Sequence, residues 1–259
     1  MDGDSTRNPD KQKEKLANPL ISVITVVYNG SAQIEETIRS VIKHSHKEAE
    51  YIVIDGGSSD GTVEIIRKYE AHIRFWISEP DRGIYDAINK GINASSGSYF
   101  LVLNAGDQLL YLPLDEVRQS EEINADVILF DVRCSDNRVF RSVVDYRTRF
   151  GNTIHHQGAL YRRTLNINYD TNYRVYADFD MNLKLLAQKK KFIKFNKVIT
   201  YHSLDGVSNN RGFIKEYFDV IKNNSGPLHT LIGYLYFKQG ELRKSLRQAI
   251  DHLHKGKGL

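Results

Sequence analysis

The stretch Leu20–Gly30, LISVITVVYNG, gives the clearest indication of fold in this chain of 259 residues. Its first nine residues are almost all apolar or β-branched, which is typical of a strand buried on both faces of a parallel sheet. Asn29-Gly30 is a turn signal that ends the strand. The residues that follow predict an amphipathic helix, capped by Ser31, because apolar side chains recur at helical spacing: Ile34, Ile38, Val41 and Ile42.

The next part of the chain repeats this alternation of strand and helix. Strands are predicted at Tyr51–Ile54, Ile73–Ser78 and Tyr99–Leu103, with helices around Val63–Ile66 and Ile84–Ala94. The short connections predict an α/β fold with a mostly parallel, doubly wound sheet flanked by helices. Polar segments containing glycine follow the strands, at the sheet edge where ligands bind in such folds.

The second half is less regular. It is expected to contain strands and helices near residues 127–133, 139–144, 179–188, 192–201 and 212–222. The chain is expected to divide into a disordered leader, an α/β domain and a basic amphipathic helical tail, at residues 1–18, 19–225 and 226–259.

The composition indicates the cellular compartment of the protein. No apolar run approaches the roughly 20 residues that cross a bilayer, and the polar N-terminal segment lacks the apolar core of a signal peptide. Cys134 is the single cysteine, so an intramolecular disulfide is excluded and a reducing, cytoplasmic compartment is favoured.

The net charge of +4 is concentrated in the tail, where residues 226–259 hold six Lys or Arg and two Asp or Glu. The tail helix is expected to present an apolar face with cations beside it: Leu242, Leu246, Ile250 and Leu253, with Arg243, Lys244 and Arg247. Two alternatives stay open. This face lies on an anionic membrane surface, or it packs on the α/β domain or on a second subunit in a homodimer. Nucleic-acid binding is disfavoured, because the charge sits at one end without interleaved aromatics.

The first two strand ends carry candidates for binding a nucleoside. Tyr28 can lie flat against a base while the backbone around Thr25 supplies hydrogen bonds, although Tyr28 can equally be a core aromatic. Asp55 can accept an N–H from a base or bond a ribose hydroxyl. Asp60, a few residues later, is expected to cap the next helix instead.

The third segment, Glu79–Gly91, is the most distinctive. Asp81 and Arg82 lie at a predicted helix entry, whose unpaired N–H groups favour anions. Arg82 and Lys90 can both face phosphate oxygens. The alternative is a solvated, charged helix start.

The fourth strand ends in Asn104-Ala105-Gly106-Asp107. A carboxylate at this edge suits a Mg²⁺ or Mn²⁺ ion with oxygen ligands. His202 also follows a predicted strand and can reach the same ion, or be structural.

Later residues are candidates for handling an acceptor. Asp178 or Asp180 at a helix start can serve as a general base, or both can be acids favoured by the helix dipole. His156 and Gln157 can line an acceptor pocket, or can be structural.

In this order, the segments resemble the family 2 glycosyltransferases of the GT-A fold, and in particular the bacterial enzymes that build capsule, exopolysaccharide and O-antigen. The resemblance extends from about Leu20 to Ser208 and is carried by ISVITVVYNG, YIVIDGGSSDGT, SEPDRGIYDAINKGI, YFLVLNAGD, HHQGALYRR, YADFDMNLKLL and DGVS.

The resemblance implies an inverting transfer from a nucleotide-sugar, a UDP-sugar first, to a glycan or lipid-linked glycan. Asp178 is then the catalytic base and Asp180 its structural partner. Asp107, with His202, takes the place of the family's metal-binding motif for Mg²⁺ or Mn²⁺. The implied donor-binding residues are Thr25, Val26, Tyr28, Asn29, Asp55, Asp81, Arg82, Lys90, Asn104 and Ala105.

One departure from the family pattern motivates an alternative. The family's acidic motif carries two or three carboxylates, whereas only Asp107 remains here. The chain can therefore be a catalytically inactive, donor-binding or scaffold subunit of a polysaccharide assembly complex, although the intact Asp178 argues against this. A dinucleotide-binding oxidoreductase is disfavoured because Gly-x-Gly-x-x-Gly does not follow the first strand.

Overall fold

Ten strands and six helices make up the part of the chain that the computed structural model describes, residues 6–7, 19–204 and 211–255; side chains are described for 19–204 and 212–240. The strands are β1 (Thr6–Arg7), β2 (Ile21–Val27), β3 (Ala49–Asp55), β4 (Phe75–Ser78), β5 (Tyr99–Asn104), β6 (Gln108–Leu109), β7 (Val127–Cys134), β8 (Val139–Arg141), β9 (Ala159–Arg162) and β10 (Phe192–His202). The helices are α1 (Ile34–Lys43), α2 (Thr62–Lys68), α3 (Ile84–Ala94), α4 (Leu114–Glu122), α5 (Ala177–Ala187) and α6 (Ile214–Lys255).

The strands form one sheet in the order β1-β4-β3-β2-β5-β9-β7-β10-β6, with β8 paired to β7. The four strands β4, β3, β2 and β5 are mutually parallel, as the sequence predicts. The other half is mixed: β9 runs antiparallel to both β5 and β7, and β10 runs parallel to β7. This order places the ends of the parallel strands side by side.

The strand β9 and the helix α4 were not anticipated from sequence. The four residues of β9 are too few to show a period, and three of them are buried only because β5 and β7 flank them. The helix α4 buries only Val117 and Ser120, so its apolar pattern is weak.

Two apolar clusters cover the two faces of the sheet. The first packs α1, α2 and α4 against it, through side chains such as Ile38, Ile66 and Val117. The second packs α3 and α5 against the opposite face, through side chains such as Ile88 and Leu185. Helices on both faces account for the long apolar runs in the parallel strands.

The two ends of the chain can be compared with the predicted division into a leader, an α/β domain and a helical tail. Thr6 and Arg7 pair antiparallel with β4, and the other residues of the predicted leader lie outside the described ones. The helix α6 is interrupted at Gly226, where φ is 83° and ψ is 174°, a conformation open to glycine. No helix in the described ranges is long and apolar enough to span a bilayer.

Candidate active site

Four strand ends lie together at one edge of the sheet. Val27 of β2 is opposite Asp55 of β3, and Asp55 is opposite Ser78 of β4. Val26 is opposite Asn104 at the end of β5. Because these strands are parallel, the loops after them leave the sheet on the same side and form the expected crevice.

Tyr28 is the exposed aromatic at the end of β2. Its side chain is 66% exposed, so one face of the ring is open to a ligand. Thr25 is fully buried, and its hydroxyl accepts a hydrogen bond from the Tyr51 hydroxyl at 3.0 Å. Val26 is also buried, and its carbonyl oxygen accepts the N–H of Ala105. Thr25 and Val26 therefore lie inside the sheet, and Tyr28 is the member of this predicted group that reaches the crevice.

Asn29 joins the loop after β2 to the loop after β3. Its φ of 47° is left-handed, which asparagine adopts more readily than most residues. Its N–H donates to Ser58 Oγ at 2.7 Å, and its side-chain oxygen accepts the N–H of Ser59 at 3.0 Å. Asn29 thus shapes the crevice wall by holding two loops together.

The Asp55 carboxylate is fully buried and is used by its own loop. Oδ2 accepts the N–H groups of Gly57 at 3.1 Å and Ser58 at 2.9 Å, and the Ser78 hydroxyl at 2.6 Å. Oδ1 accepts the Ser58 hydroxyl at 2.5 Å. A carboxylate has about four acceptor sites, so these four hydrogen bonds occupy most of the carboxylate and fix the shape of this loop.

Asp81 faces the end of β3 across Gly56. A Cβ on Gly56 would collide with the Asp81 carboxyl group and lie 3.4 Å from Tyr28 Cβ, so glycine alone permits this close approach. Partial burial raises the pKa of Asp81, because burial disfavours the charged form. Its Oδ1 accepts the N–H of Gly83 at 2.8 Å. Asp81 and Tyr28 therefore share one wall of the crevice.

The two predicted phosphate-facing cations differ in availability. Arg82 is 77% exposed and pairs with Asp86 at 3.0 Å. Lys90 donates to the carbonyl oxygen of Pro80 at 3.0 Å and pairs with Glu79 at 3.0 Å. Lys90 therefore braces the loop before α3, and Arg82 is the more available cation at the start of that helix.

Asp107 is the centre of a hydrogen-bonded cluster at the end of β5. Its Oδ1 lies 2.8 Å from His202 Nδ1 and accepts the N–H of Ser203 at 3.1 Å. Its Oδ2 accepts Gln157 Nε2 at 2.9 Å and the N–H of Asn104 at 3.2 Å. Asp107 and His202, which the sequence assigns to one metal site, are therefore in contact. Gln157, which the sequence assigns to an acceptor pocket, also contacts Asp107.

The side chains around Asp107 can be compared with the ligands that a divalent metal ion needs, since the fold family implies such an ion. Within the described ranges, no group of three or more His, Cys, Asp or Glu side chains could hold a metal. Asn104 Oδ1, however, is buried without a hydrogen-bond partner, and the described hydrogen bond to the His202 ring is at Nδ1. A carboxylate on one nitrogen commonly orients an imidazole that binds metal through the other. These residues fit an ion that takes most of its ligands from a diphosphate.

His155 and His156 are buried next to this cluster. Burial lowers the pKa of His155 to about 3 and that of His156 to about 4, so both rings are neutral at pH 7. The His155 ring lies edge-on to His202 at 4.8 Å. Neither ring nitrogen of His156 has a partner among the described residues. Buried unpaired nitrogens of this kind are unusual and offer contacts to a ligand or water.

Asp178, near the start of α5, is 9% exposed. Burial raises its pKa from 3.8 to about 6, because the carboxylate loses hydration. The Tyr85 hydroxyl lies 3.2 Å from its Oδ1 and donates to the carbonyl oxygen of Val175 at 2.5 Å. Asp180 is used structurally, since it pairs with Lys184 at 2.6 Å.

Two residues that support Asp178 were missed from sequence. Tyr85 lies inside the distinctive Glu79–Gly91 stretch, where an aromatic beside a candidate site was a usable signal; its ring stacks on Tyr169 at 5.5 Å. Glu216 of α6 accepts three successive backbone N–H groups, those of residues 174–176, at 2.9, 2.8 and 2.6 Å. Nothing local marks Glu216, because an acid at a helix start is ordinary.

A chain of aromatic contacts runs from His156 to the neighbourhood of Asp178. The His156 ring stands edge-on to the buried ring of Tyr169 at 5.8 Å, and Tyr169 in turn stacks on Tyr85. The fold and the polar side chains at the strand ends are those of an α/β protein that receives its ligand at the carboxyl edge of a parallel sheet.

Comparison with known proteins makes the class specific. Residues 22–221 match the family model described as Glycosyl transferase family 2, and the chain belongs to this family. It is therefore a glycosyltransferase. It is 29% identical to a PGL/p-HBAD biosynthesis glycosyltransferase of Mycobacterium bovis over 75% of this chain and 81% of the relative. It is 38% identical to TuaG of Bacillus subtilis, a putative teichuronic acid biosynthesis glycosyltransferase, over 35% of this chain and 37% of the relative.

Solved structures show the same fold at low sequence identity. TarS residues 1–349 of S. aureus, in complex with UDP-GlcNAc, align with a TM-score of 0.64 and 18% identity over 78% of this chain and 64% of that one. This chain thus spans less than two thirds of the TarS chain. The mannosyltransferase PcManGT of Pyrobaculum calidifontis, in complex with GDP-Man and Mn²⁺, aligns with a TM-score of 0.61 and 18% identity over 85% of this chain and 70% of that one.

Proposed function

We propose that this glycosyltransferase moves a sugar from a UDP-sugar to a glycan or lipid-linked glycan, with inversion at the anomeric carbon. One observation carries the proposal. A buried carboxyl group with a pKa of about 6, Asp178, lies 3.2 Å from the hydroxyl of Tyr85 at the start of α3, the helix whose entry carries Arg82. General bases have pKa values tuned in this way by burial.

The donor would lie across the strand ends. The exposed ring of Tyr28 would stack on the base, against the wall that the Asp55 loop and Asp81 form. Arg82, at the N-terminus of α3, would contact the diphosphate. The structural neighbours were solved with UDP-GlcNAc and with GDP-Man, which supports a nucleotide-sugar donor but not one particular base.

The metal would bind beside the Asp107 cluster. His202, oriented by Asp107, and Asn104 would be its protein ligands. A Mg²⁺ or Mn²⁺ ion held there would offset the negative charge that builds up on the leaving diphosphate.

The transfer step follows from the position of Asp178. Its carboxylate would take the proton of an acceptor hydroxyl as the hydroxyl oxygen attacks the anomeric carbon. The bond from that carbon to the diphosphate oxygen breaks, and the electron pair leaves with the nucleoside diphosphate. Attack opposite the leaving group inverts the configuration. His156 would contact a sugar hydroxyl through its unpaired nitrogens.

The proposed setting is the synthesis of a bacterial surface glycan on the cytoplasmic side of the cell membrane. The names of the relatives, which refer to PGL/p-HBAD and teichuronic acid biosynthesis, support this setting. An acceptor carried on a lipid would present its sugar at that membrane surface.

A thermal-shift panel of UDP-, GDP- and dTDP-sugars with Mn²⁺ tests the donor assignment. A UDP-sugar is expected to raise Tm most, since a ligand that binds only the folded state stabilises it in proportion to RT ln(1 + [L]/Kd). Tyr28→Ala should reduce this shift, whereas Tyr146→Ala, at another exposed tyrosine, should not. A larger shift with GDP- or dTDP-sugars would overturn the UDP assignment.

The inactive-subunit alternative has one observation in its favour, the lack of a three-carboxylate or three-histidine set among the described residues. Donor hydrolysis or transfer, measured with and without Mn²⁺, separates the two. Donor binding without turnover under either condition would favour a scaffold subunit.

A further inference from the structure

The most exposed apolar surface of the described chain lies on α6, after its interruption at Gly226. Several large apolar side chains within residues 228–236 are between 36 and 66% exposed: Leu228, Leu231, Ile232, Tyr234, Leu235 and Tyr236. An apolar patch of this kind on a protein surface marks an interaction site more often than chance exposure.

The opposite face of the same helical segment is the one that packs on the catalytic domain. A Cβ on Gly233 would lie 2.9 Å from Ile221 Cδ1 and 3.0 Å from the Phe150 carbonyl oxygen, so the helix approaches closely there. The Phe237 ring lies 6.0 Å from the Phe218 ring. With Gly233 and Phe237 facing inward, the leucines at 228, 231 and 235 form the outward face.

This arrangement separates two alternatives that the sequence leaves open. The described side chains of the outward face are 36 to 66% exposed, and among them Leu231 borders a small groove with Phe218 of the first part of α6. The sequence continues the same spacing with Leu242, Leu246 and Leu253, whose side chains lie outside the described residues, and the backbone is helical as far as Lys255. This face is therefore open to a partner outside the domain.

We infer that the leucine face of α6, defined by Leu228, Leu231, Ile232 and Leu235, binds the surface of an anionic lipid bilayer. The positive charge of the tail favours an anionic bilayer over a second copy of the chain as the partner. Residues 226–259 carry a net charge of +4, equal to that of the whole protein. Two copies meeting through this helix would bring two such charges together, whereas anionic headgroups would neutralise them.

The residues that flank the leucine face suit an interface between lipid and water. Tyr234 and Tyr236 are 46 and 45% exposed, and such rings favour the headgroup level. The exposed ammonium group of Lys238 lies 5.5 Å from the centre of the Tyr234 ring. Since no helix in the described ranges can span a bilayer, the segment would lie along the surface. Binding of the leucine face to lipid would explain how the protein stays at the membrane proposed above. It does not depend on which nucleotide-sugar is the donor or on Asp178 being the base.

Vesicle co-sedimentation of the full-length chain tests the inference. The protein should pellet with vesicles of phosphatidylglycerol and phosphatidylethanolamine, and much less with phosphatidylcholine alone or at high salt. Leu235→Glu should lower the partition coefficient at least about tenfold, because it removes a leucine from the bilayer and adds a repelled charge. Ile123→Glu is the matched control, since Ile123 is 44% exposed beyond the end of α4; it should pellet like the wild type.

Three results would overturn the inference: no pelleting with anionic vesicles, equal loss in both variants, or a dimer in light scattering that Leu235→Glu dissociates. Donor-induced thermal shifts of the same variants keep the two proposals apart. Leu235→Glu should retain the wild-type shift, so the loss of vesicle binding does not bear on the reaction. A missing donor shift in all proteins would instead count against the proposed reaction.

Discussion

Asp178 is a carboxylic acid whose surroundings disfavour its ionised form. Its pKa of about 6 has desolvation as the largest cause, and the Tyr85 hydroxyl only partly offsets this. The group is therefore poised to change protonation near neutral pH, where a general base is most effective. Asp180, two residues later, is held by Lys184 and cannot take this role.

At this scale we expect Asp178→Asn to lower turnover by about 10²–10⁴-fold, the usual contribution of a general base. The donor-induced thermal shift should be unchanged, because the proposed role of Asp178 is toward the acceptor hydroxyl and not toward the donor. For the wild type, kcat/KM should fall below a pH of about 6, as the base becomes protonated. Wild-type turnover in the variant would refute the assignment.

The same carboxyl group should make stability depend on pH. Its folded pKa of about 6 lies above the ordinary 3.8, so the folded state binds more protons than the unfolded state between these values. The contribution of this bound proton to the free energy of unfolding is therefore fully present below about pH 4 and is lost as pH rises through 6. Asp178→Asn should raise Tm relative to wild type at pH 8 but not at pH 4, as calorimetry would record. Equal differences at the two pH values would contradict the burial of an ionised group.

A substitution of His202 tests the proposal that this residue binds the metal ion. We expect His202→Gln to weaken Mn²⁺ binding about 10–100-fold, measured by the Mn²⁺ concentration that gives half-maximal thermal shift with a nucleoside diphosphate. His72→Gln, at an exposed histidine in the turn after α2, is the control. Unchanged Mn²⁺ dependence in His202→Gln would place the ion elsewhere.

At the scale of elements, the start of α5 is held by α6. Glu216 accepts the three N–H groups of residues 174–176, directly before α5, and the carbonyl of Val175 accepts the Tyr85 hydroxyl. A carboxylate at unpaired helix-start N–H groups is favourable in charge as well as in hydrogen bonding. Glu216 thus holds the backbone directly before α5, and we expect it to act as a positioning residue for Asp178.

Glu216→Gln should therefore lower kcat about tenfold or more while leaving the donor KM nearly unchanged, since an amide bonds these N–H groups more weakly than a carboxylate. The acid limb of the pH profile should also move, because the surroundings of Asp178 change. Glu122→Gln, at the exposed end of α4, is the matched control. A variant that loses only Tm, with kcat and the pH profile retained, would show a purely structural role.

At the scale of the whole molecule, the helix after Gly226 belongs in part to the catalytic domain. Gly233 approaches Ile221 and Phe150, and Phe237 contacts the aromatic cluster of Tyr217 and Phe218. The division expected at residue 226 coincides with a break in the helix, but not with the end of packing.

Two truncations distinguish these parts. A chain ending at residue 226 should lose about 5 °C or more in Tm, because it exposes the apolar surface that Gly233 and Phe237 cover. A chain ending at residue 240 should keep a Tm close to that of the full chain, as measured by thermal unfolding. Equal Tm values for all three chains would show that these contacts contribute little.

Local sequence patterns were enough to predict the parallel half of the sheet, the positions of its strand ends, the place of Asp178 at a helix start and the glycosyltransferase class. These follow from local patterns, because buried strands, turn residues and helical spacing are written over a few consecutive residues. The order of the segments then carried the family resemblance.

The fold was needed to show which partners these side chains contact. Asp55 accepts four hydrogen bonds from its own loop and Ser78, and Lys90 is held by Glu79 and Pro80. The support of Asp178 by Glu216, the contact of Asp107 with His202 and the outward direction of the leucine face likewise required the fold. The reason is physical: hydrogen-bond saturation and exposure depend on partners far apart along the chain, and no local pattern records them.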